Sequence, residues 1–172
     1  MSIRIYVYEM HQDDPRKCTS AKMRRMKLAY PLNRLSSIHP KMVILDPASS
    51  RILTPKEDLT QGIVVIDCSW QKIDEAFPHK IKGRRLRLPL LIAANPINYG
   101  QIGKLSSLEA AAAALYITSN KDQSETLLKI YKWGPAFLTL NKELLAAYSE
   151  AAGEEDILKV ERKTFGLGER KS

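Results

Sequence analysis

The sequence predicts an α/β protein, a parallel sheet in the first half followed by a helical half. Three observations carry this. Short apolar runs alternate with helical or turn connectors up to about residue 93, the pattern of strands joined by crossovers. Beyond about residue 95 no further segment reads as a strand. The second half is instead rich in alanine and leucine at helical spacing and carries a helix-start signature. The boundary falls at 92/93, giving an α/β unit over 1–92 and a helical unit over 93–172. At 172 residues this makes one compact domain or two small lobes sharing a core.

The elements follow in order. "IRIYVYEM" (3–10) is β-branched and aromatic and reads as the first strand. "HQDDPRKCTS" is a polar loop, and Ser20 is a candidate cap for a short helix, "AKMRRMKLAY", that Pro31 ends. "KMVILDP" (41–47) is a second strand closed by Asp46-Pro47. "TPKEDLTQG" reads as a short helix entered through Pro55 and stopped at Gly62. "GIVVIDCSW" (62–70) is a buried strand that runs into a carboxylate, a thiol, a hydroxyl and an indole. "SWQKIDEAF" is a short helix or turn, and "RRLRLPLLIA" (84–93) a last strand. Ser106 and Glu109 then form a capping box at the head of "LEAAAAALYIT". "QSETLLKIYKW" is a helix stopped at Gly134-Pro135, and "AFLTLNKELLAAYSEAA" a third helix stopped at Gly153. Residues 154–172 are expected to form a mobile tail.

Charge is the most informative feature of the composition. Of the 27 Lys and Arg, eight lie between Pro15 and Lys41, a stretch with no Asp or Glu; the other 19 balance the 19 acidic residues of the chain. A second acid-free stretch, Ala76 to Leu108, holds Lys80, Lys82, Arg84, Arg85, Arg87 and Lys104. Clustered positive charge of this kind suits a phosphate-backbone partner better than an evenly solvated surface. The two cysteines, Cys18 and Cys68, and three scattered histidines supply neither a disulfide framework nor a metal-ligand cluster, so no metal is expected. No apolar run is long enough to span a bilayer, and the N-terminus lacks signal-peptide order. A soluble, cytoplasmic protein with no membrane partner is expected.

Two constellations can carry chemistry. Asp67 to Trp70 sit where a parallel sheet binds ligands, at the carboxyl end of a strand. Trp70 offers a flat wall to a cationic or purine-bearing ligand, or anchors the next element in the core. Asp67 is a general base, an orienting group or a helix cap. The second is "RLPLLIAANPINYG" (87–100), whose asparagines, once buried, demand hydrogen-bond partners. It runs through Gly103 into a helix N-terminus whose free amides suit a polar ligand edge. No Gly-x-Gly-x-x-Gly, Walker loop or Gly-x-Ser-x-Gly occurs. Asp67 beside Cys68 raises a thiol pKa and disfavours a cysteine nucleophile.

Asp67-Cys68-Ser69-Trp70, "LIAANPINYG", "KLSSLEAAAAALYI" and Trp133-Gly134 together resemble the ribosome-biogenesis aminocarboxypropyltransferases that modify small-subunit ribosomal RNA, and the likeness is of the archaeal type. "DDPRKCTS" and Ile44 to Asp58 fit as well, so the resemblance covers nearly the whole chain. It implies a SPOUT-like sheet with a trefoil knot before the helical half. It also implies that S-adenosyl-L-methionine donates its 3-amino-3-carboxypropyl group to N3 of an N1-methylpseudouridine in a small-subunit rRNA hairpin and leaves as methylthioadenosine. By the same likeness, Trp70 walls the donor's methyl pocket, Thr19 holds its carboxylate, and Ile66 contacts the ribose. Leu88, Leu90, Gly103, Leu105 and Ser107 belong to the loops that hold adenine. Arg16, Lys17, Lys22, Arg24, Arg25, Lys27, Lys82, Arg84 and Arg85 form the expected RNA track on small-subunit rRNA or a pre-ribosomal particle. The family looks monomeric. Two rival readings keep the same basic surface: a methyltransferase on the same fold, and a non-catalytic rRNA-binding assembly factor.

Overall fold

The computed structural model describes residues 2–9, 19–67 and 81–166. Five strands form one all-parallel sheet: β1 (Ile5–Glu9), β2 (Tyr30–Pro31), β3 (Val43–Leu45), β4 (Ile63–Asp67) and β5 (Arg84–Leu86), in the order β2-β1-β4-β3-β5. Among the described residues there are six α-helices: α1 (Thr19–Arg25), α2 (Ser107–Ile117), α3 (Lys121–Leu128), α4 (Gly134–Leu140), α5 (Lys142–Ser149) and α6 (Glu154–Phe165).

β4 lies at the centre of the sheet, paired with β1 from Ile5↔Ile63 to Glu9↔Asp67 and with β3 from Val43↔Ile63 to Leu45↔Val65. Both faces of a central parallel strand are covered, so an unbroken apolar run belongs there, and Ile63 to Ile66 are all buried. Alternate residues feed two cores. Ile5, Val7, Val43, Leu45, Ile63 and Val65 pack with α2 and the other helices, whereas Ile44, Val64 and Ile66 pack with Leu32 and Ile38 on the opposite face. The first core runs without a break from Ile3 to Ile157. It therefore spans the 92/93 boundary. β4 is entered at Gly62 with φ +108°, where an added Cβ would collide with the Tyr6 ring; only glycine adopts that conformation at low cost.

Four sequence expectations change. The segment from Thr54 to Gly62 forms turns, not a helix. Thr54 Oγ1 accepts from Lys56 N, and Asp58 Oδ1 accepts from Thr60 N at 2.9 Å; local side-chain acceptors here outcompete the helical ladder. The strand expected over 84–93 leaves the sheet after Leu86. The helix expected over 136–152 is two helices, because Asn141 between them is buried and turns its amide onto Ile92. The mobile tail expected from residue 154 is instead α6, an ordered helix as far as Phe165, with Ile157 and Glu161 buried. Three acids in its first turn and Arg162 and Lys163 in its last complement the helix dipole. One short strand escaped notice: Pro31 does more than end a helix, since Tyr30 and Pro31 pair with Tyr6 and Val7 at the sheet edge, where proline is tolerated. The helix or turn expected at "SWQKIDEAF" lies outside the described residues, as does the end of the chain from residue 167.

The chain from Leu88 to Asn95 is held on both edges. On one, Gly103 N–H donates to Leu91 O at 2.8 Å, and Ala93 exchanges bonds with Gln101 and Gly100. On the other, side chains of the helical half take the place of a strand. Glu161 accepts from Leu90 N at 2.8 Å, Tyr148 Oη donates to Leu90 O at 2.7 Å, Asn141 bonds both Ile92 N and Ile92 O, and Glu109 accepts from Ala94 N at 2.7 Å. Burial, reinforced by the negative charge of Glu161, pushes the Tyr148 phenol well above its ordinary pKa, so it remains a neutral donor. Arg87, held by two bonds to Glu161 at 2.8 and 3.0 Å, balances that carboxylate.

Asn141→Ala leaves the Ile92 amide and carbonyl without partners. At about 1–3 kcal/mol for each unsatisfied buried group, a loss of roughly 2–6 kcal/mol is expected in urea unfolding, with an unchanged m-value. A loss below about 0.5 kcal/mol, the usual size for a neutral surface change, would show that water replaces the amide.

Candidate active site

All five strands point the same way, so their carboxyl ends form one edge, with Glu9 and Asp67 side by side in register. The site is built on that edge. Asp67 closes β4 and is partly exposed. Its Oδ2 accepts a bond from the Ser20 hydroxyl at 2.9 Å. Ser20 therefore does not cap α1; the helix starts one residue earlier, and the serine ties its first turn to the strand end. Thr19 is buried, and its Oγ1 accepts from Leu108 N at 3.1 Å. The amino ends of α1 and α2 are thus joined to each other and, through Ser20, to the end of β4.

α2 begins as its sequence demands. Ser106 Oγ accepts from Glu109 N at 3.2 Å, and Glu109 reaches back to Ser106 N at 3.0 Å. Glu109 does more than cap. It is fully buried and also receives the Asn95 amide at 2.7 Å and the Ala94 N–H. The demand that a buried Asn95 find partners is met, its Nδ2 donating to Glu109 and to Lys104 O. One carboxylate thus fixes both the start of α2 and the end of the loop that precedes it.

The structure brings the expected donor-binding residues together in two groups. Ile66, Thr19 and Ser107 gather where β4, α1 and α2 meet, through the Asp67–Ser20 and Thr19–Leu108 bonds. Leu88, Leu90 and Gly103 gather along the laddered segment: Gly103, with φ +76°, bonds Leu91 O, and a Cβ on it would sit 3.6 Å from Leu90 Cδ2. Leu105 packs half-buried between the groups. Trp70 lies outside the described residues, as do Cys68, Arg16 and Lys17.

The expected RNA-binding cations separate by their partners. Arg24 is paired with Glu9 through two bonds at 3.0 and 3.2 Å, and Arg84 is paired with Glu57. The Lys22 ammonium lies 4.1 Å from the centre of the Tyr131 ring, which in turn stacks on Trp133 at 5.0 Å. Arg25, Lys27 and Lys82 are exposed, and Arg85 is half-buried. Sequence reasoning missed Ser20 as a partner of Asp67, and missed Asn141, Tyr148 and Glu161 altogether. The visible signal for Asn141 was a polar residue inside an otherwise helical apolar pattern. Among the described residues no group of three or more His, Cys, Asp or Glu could hold a metal, and no helix is long and apolar enough to cross a membrane.

Comparison with known proteins fits this geometry. Residues 43–165 match the family model described as ribosome biogenesis protein, C-terminal. Residues 3–35 match a model described as a possible Fer4-like domain in RNase L inhibitor. An iron–sulfur cluster of that type needs four cysteine thiolates, whereas this stretch contains only Cys18, so its residues do not fit a cluster. A protein of Methanosarcina mazei named 16S rRNA aminocarboxypropyltransferase is 40% identical over 92% of this chain and 93% of its own length. One of the same name from Sulfurisphaera tokodaii is 42% identical over 95% and 96%. The solved structure of the SAM-dependent rRNA:acp-transferase Tsr3 from Vulcanisaeta distributa superposes with a TM-score of 0.88 at 39% identity, covering 96% of this chain and 90% of that one. With a family model matched over residues 43–165, relatives about 40% identical over more than nine-tenths of the chain and a solved structure of the same fold, the chain belongs to the ribosome biogenesis family of 16S rRNA aminocarboxypropyltransferases.

Proposed function

We propose that this protein transfers the 3-amino-3-carboxypropyl group of S-adenosyl-L-methionine to N3 of an N1-methylpseudouridine in small-subunit rRNA, releasing methylthioadenosine. The observation that carries this reading is the match in fold and sequence, over 96% of the chain, to a solved rRNA:acp-transferase. The protein acts in ribosome biogenesis, in the cytoplasm and as a monomer. The finer fold reading, a SPOUT-like sheet with a trefoil knot, belongs to the same proposal; the insertion of β4 between the earlier strands β1 and β3 supports it. The division of labour in which residues 93–172 complete the donor site is part of the same proposal.

The uridine N3 attacks the methylene carbon next to sulfur. The carbon–sulfur bond breaks, its electron pair stays on sulfur, and neutral methylthioadenosine leaves. The N3 proton passes to water. Because the sulfonium is already a good leaving group, the protein's main task is alignment. The loops around Leu88 and Leu90 and from Gly103 through Leu105 to Ser107 hold the adenine, largely through main-chain groups, Ile66 contacts the ribose, and Thr19 holds the donor's carboxylate. Trp70 walls in the methyl so that the methylene faces the acceptor. Asp67 positions α1 through Ser20. Arg25, Lys27 and Lys82 carry most of the RNA contact, together with Arg16 and Lys17. Lys22, Arg24 and Arg84 give less, because each already has a partner.

Four outcomes are expected. Donor labelled in the carboxypropyl carbons labels the rRNA, while methyl label departs with methylthioadenosine; methyl label in the RNA would establish a methyltransferase instead. Trp70→Ala weakens donor binding in calorimetry about tenfold or more, roughly 1.4 kcal/mol, and unchanged affinity would remove the wall. Asp67→Asn keeps an oxygen for the Ser20 hydroxyl and so loses less activity than Asp67→Ala; equal losses, with disappearance of the acid limb of the pH–rate profile, would make Asp67 a base. Arg25→Ala with Lys82→Ala flattens the salt dependence of RNA binding by about 2 in log–log slope, more than Arg24→Ala with Arg84→Ala; the reverse order would show that the ion pairs open on binding.

A further inference from the structure

At the opposite edge of the sheet, beside the amino end of β1, a groove of about 920 Å³ is bounded by Ser2–Ile5, Lys27, Leu28, Tyr30, Ser119–Gln123 and Thr126. It lies about 17 Å from Asp67, the length of a five-residue strand. Lys27 is shared with the acceptor RNA track; nothing else in the transfer reaction uses the groove. Its charged residues are Arg4, Lys27, Lys121, whose ammonium lies 5.0 Å from the centre of the Tyr116 ring and keeps its other side open, and a single acid, Asp122. Its aromatic residue, Tyr30, is 50% exposed. The Arg4 guanidinium stands 5.6 Å from the centre of that ring, and Tyr6 packs beside it at 5.9 Å, so the ring is held in place with half its surface open.

The floor is rigid. The Gln123 side chain accepts from Ile3 N at 2.9 Å and donates to Ile3 O at 2.7 Å, which clamps the first strand to α3. Asn120 turns its amide back to Thr118, so the first turn of α3 has no side-chain cap. Lys27 and Ser119 have φ of 60° and 70°, and among the described residues they are the only non-glycine residues in the left-handed region. Both line this groove. Glycine would adopt either conformation at about 1 kcal/mol less. The chain instead keeps an ammonium and a hydroxyl there, side chains that the backbone geometry does not require.

A fixed, half-open aromatic ring among three cations and several hydroxyl and amide groups is the chemistry of single-stranded nucleic acid: bases stack on the ring, and phosphates meet the cations. A duplex would have no use for the ring. We propose that this groove is a second RNA subsite, taking an unpaired stretch of rRNA that flanks the acceptor hairpin. The inference rests on the rRNA-substrate reading above. It gives the enzyme two contacts at opposite ends of one sheet, so that RNA must span the protein to place its uridine.

The test compares two RNAs, the acceptor hairpin alone and the hairpin with its single-stranded flanks, binding to the full chain and to Lys121→Glu and Tyr30→Ala variants. The wild-type protein is expected to bind the flanked RNA at least tenfold more tightly. Lys121→Glu and Tyr30→Ala should each remove most of that gain while leaving affinity for the bare hairpin and for S-adenosylmethionine within about twofold. Ultraviolet crosslinking of flanked RNA should map to the peptide containing Tyr30. A flank-dependent gain that survives both substitutions would overturn the subsite while leaving the acceptor track intact. Equal losses on both RNAs from Lys121→Glu would also overturn it, as a general field effect. If neither RNA binds the wild-type protein, the rRNA reading itself fails, and this inference with it.

Discussion

Backbone amides and carbonyls that leave water must find partners, and in this protein that demand falls hardest on Leu90, Ile92 and Ala94. They lie on an extended segment that has left the sheet and has a backbone neighbour on one edge only. Four side chains of the helical half supply the other edge: Glu161, Tyr148 and Glu109 from three helices, and Asn141 from the junction between α4 and α5. A true strand there would bring its own side chains into the space above the loop. A ladder of side-chain atoms leaves the loop's other groups free to face a ligand. The helical half is therefore more than a cover. It acts as the missing strand, and the shape of the loop proposed to hold adenine depends on it.

The second junction is smaller but couples more elements. Thr19 and Ser20 are adjacent residues that grip different partners, the α2 amino end and the β4 carboxyl end. A shift of α1 would therefore disturb the strand end and the second helix together. The same helix carries Lys22, Arg24 and Arg25. RNA pulling on those side chains acts on an element bonded directly to the proposed donor site, a short mechanical route between the two substrates.

Much of the sheet was legible because its strands obey a simple rule: central parallel strands are buried on both faces and read as unbroken apolar runs, as Ile63 to Ile66 do. The α2 start was legible because a capping box is local, set by residues three apart. What stayed hidden was long-range. Glu161 lies 71 residues from the amide that it accepts from, and no local pattern distinguishes it from the other charges of α6. Asn141 was hidden by its surroundings, since its flanks are good helix formers and only the tertiary contact with Ile92 makes the break worthwhile. The turn at Thr54–Gly62 was misread for the opposite reason: Pro55 and Gly62 are strong helix punctuation, but Thr54 and Asp58 had nearer acceptor roles to fill. At the site, residue types identified the elements, whereas the motif set identified the chemistry.

The side-chain ladder has a consequence for biosynthesis. The edge at Leu90 emerges about seventy residues before Glu161, which at about 5–20 residues per second is roughly 4–14 s of translation. During that interval a nascent chain carries an extended apolar segment with one open edge, the kind of surface that recruits other strands. Slow elongation or a pause in the helical half lengthens the exposure. Competence to hold the cofactor therefore arrives abruptly and late, when the distal helix docks, and a chaperone that shields residues 88–95 would protect the polypeptide at the one stage when its own architecture cannot.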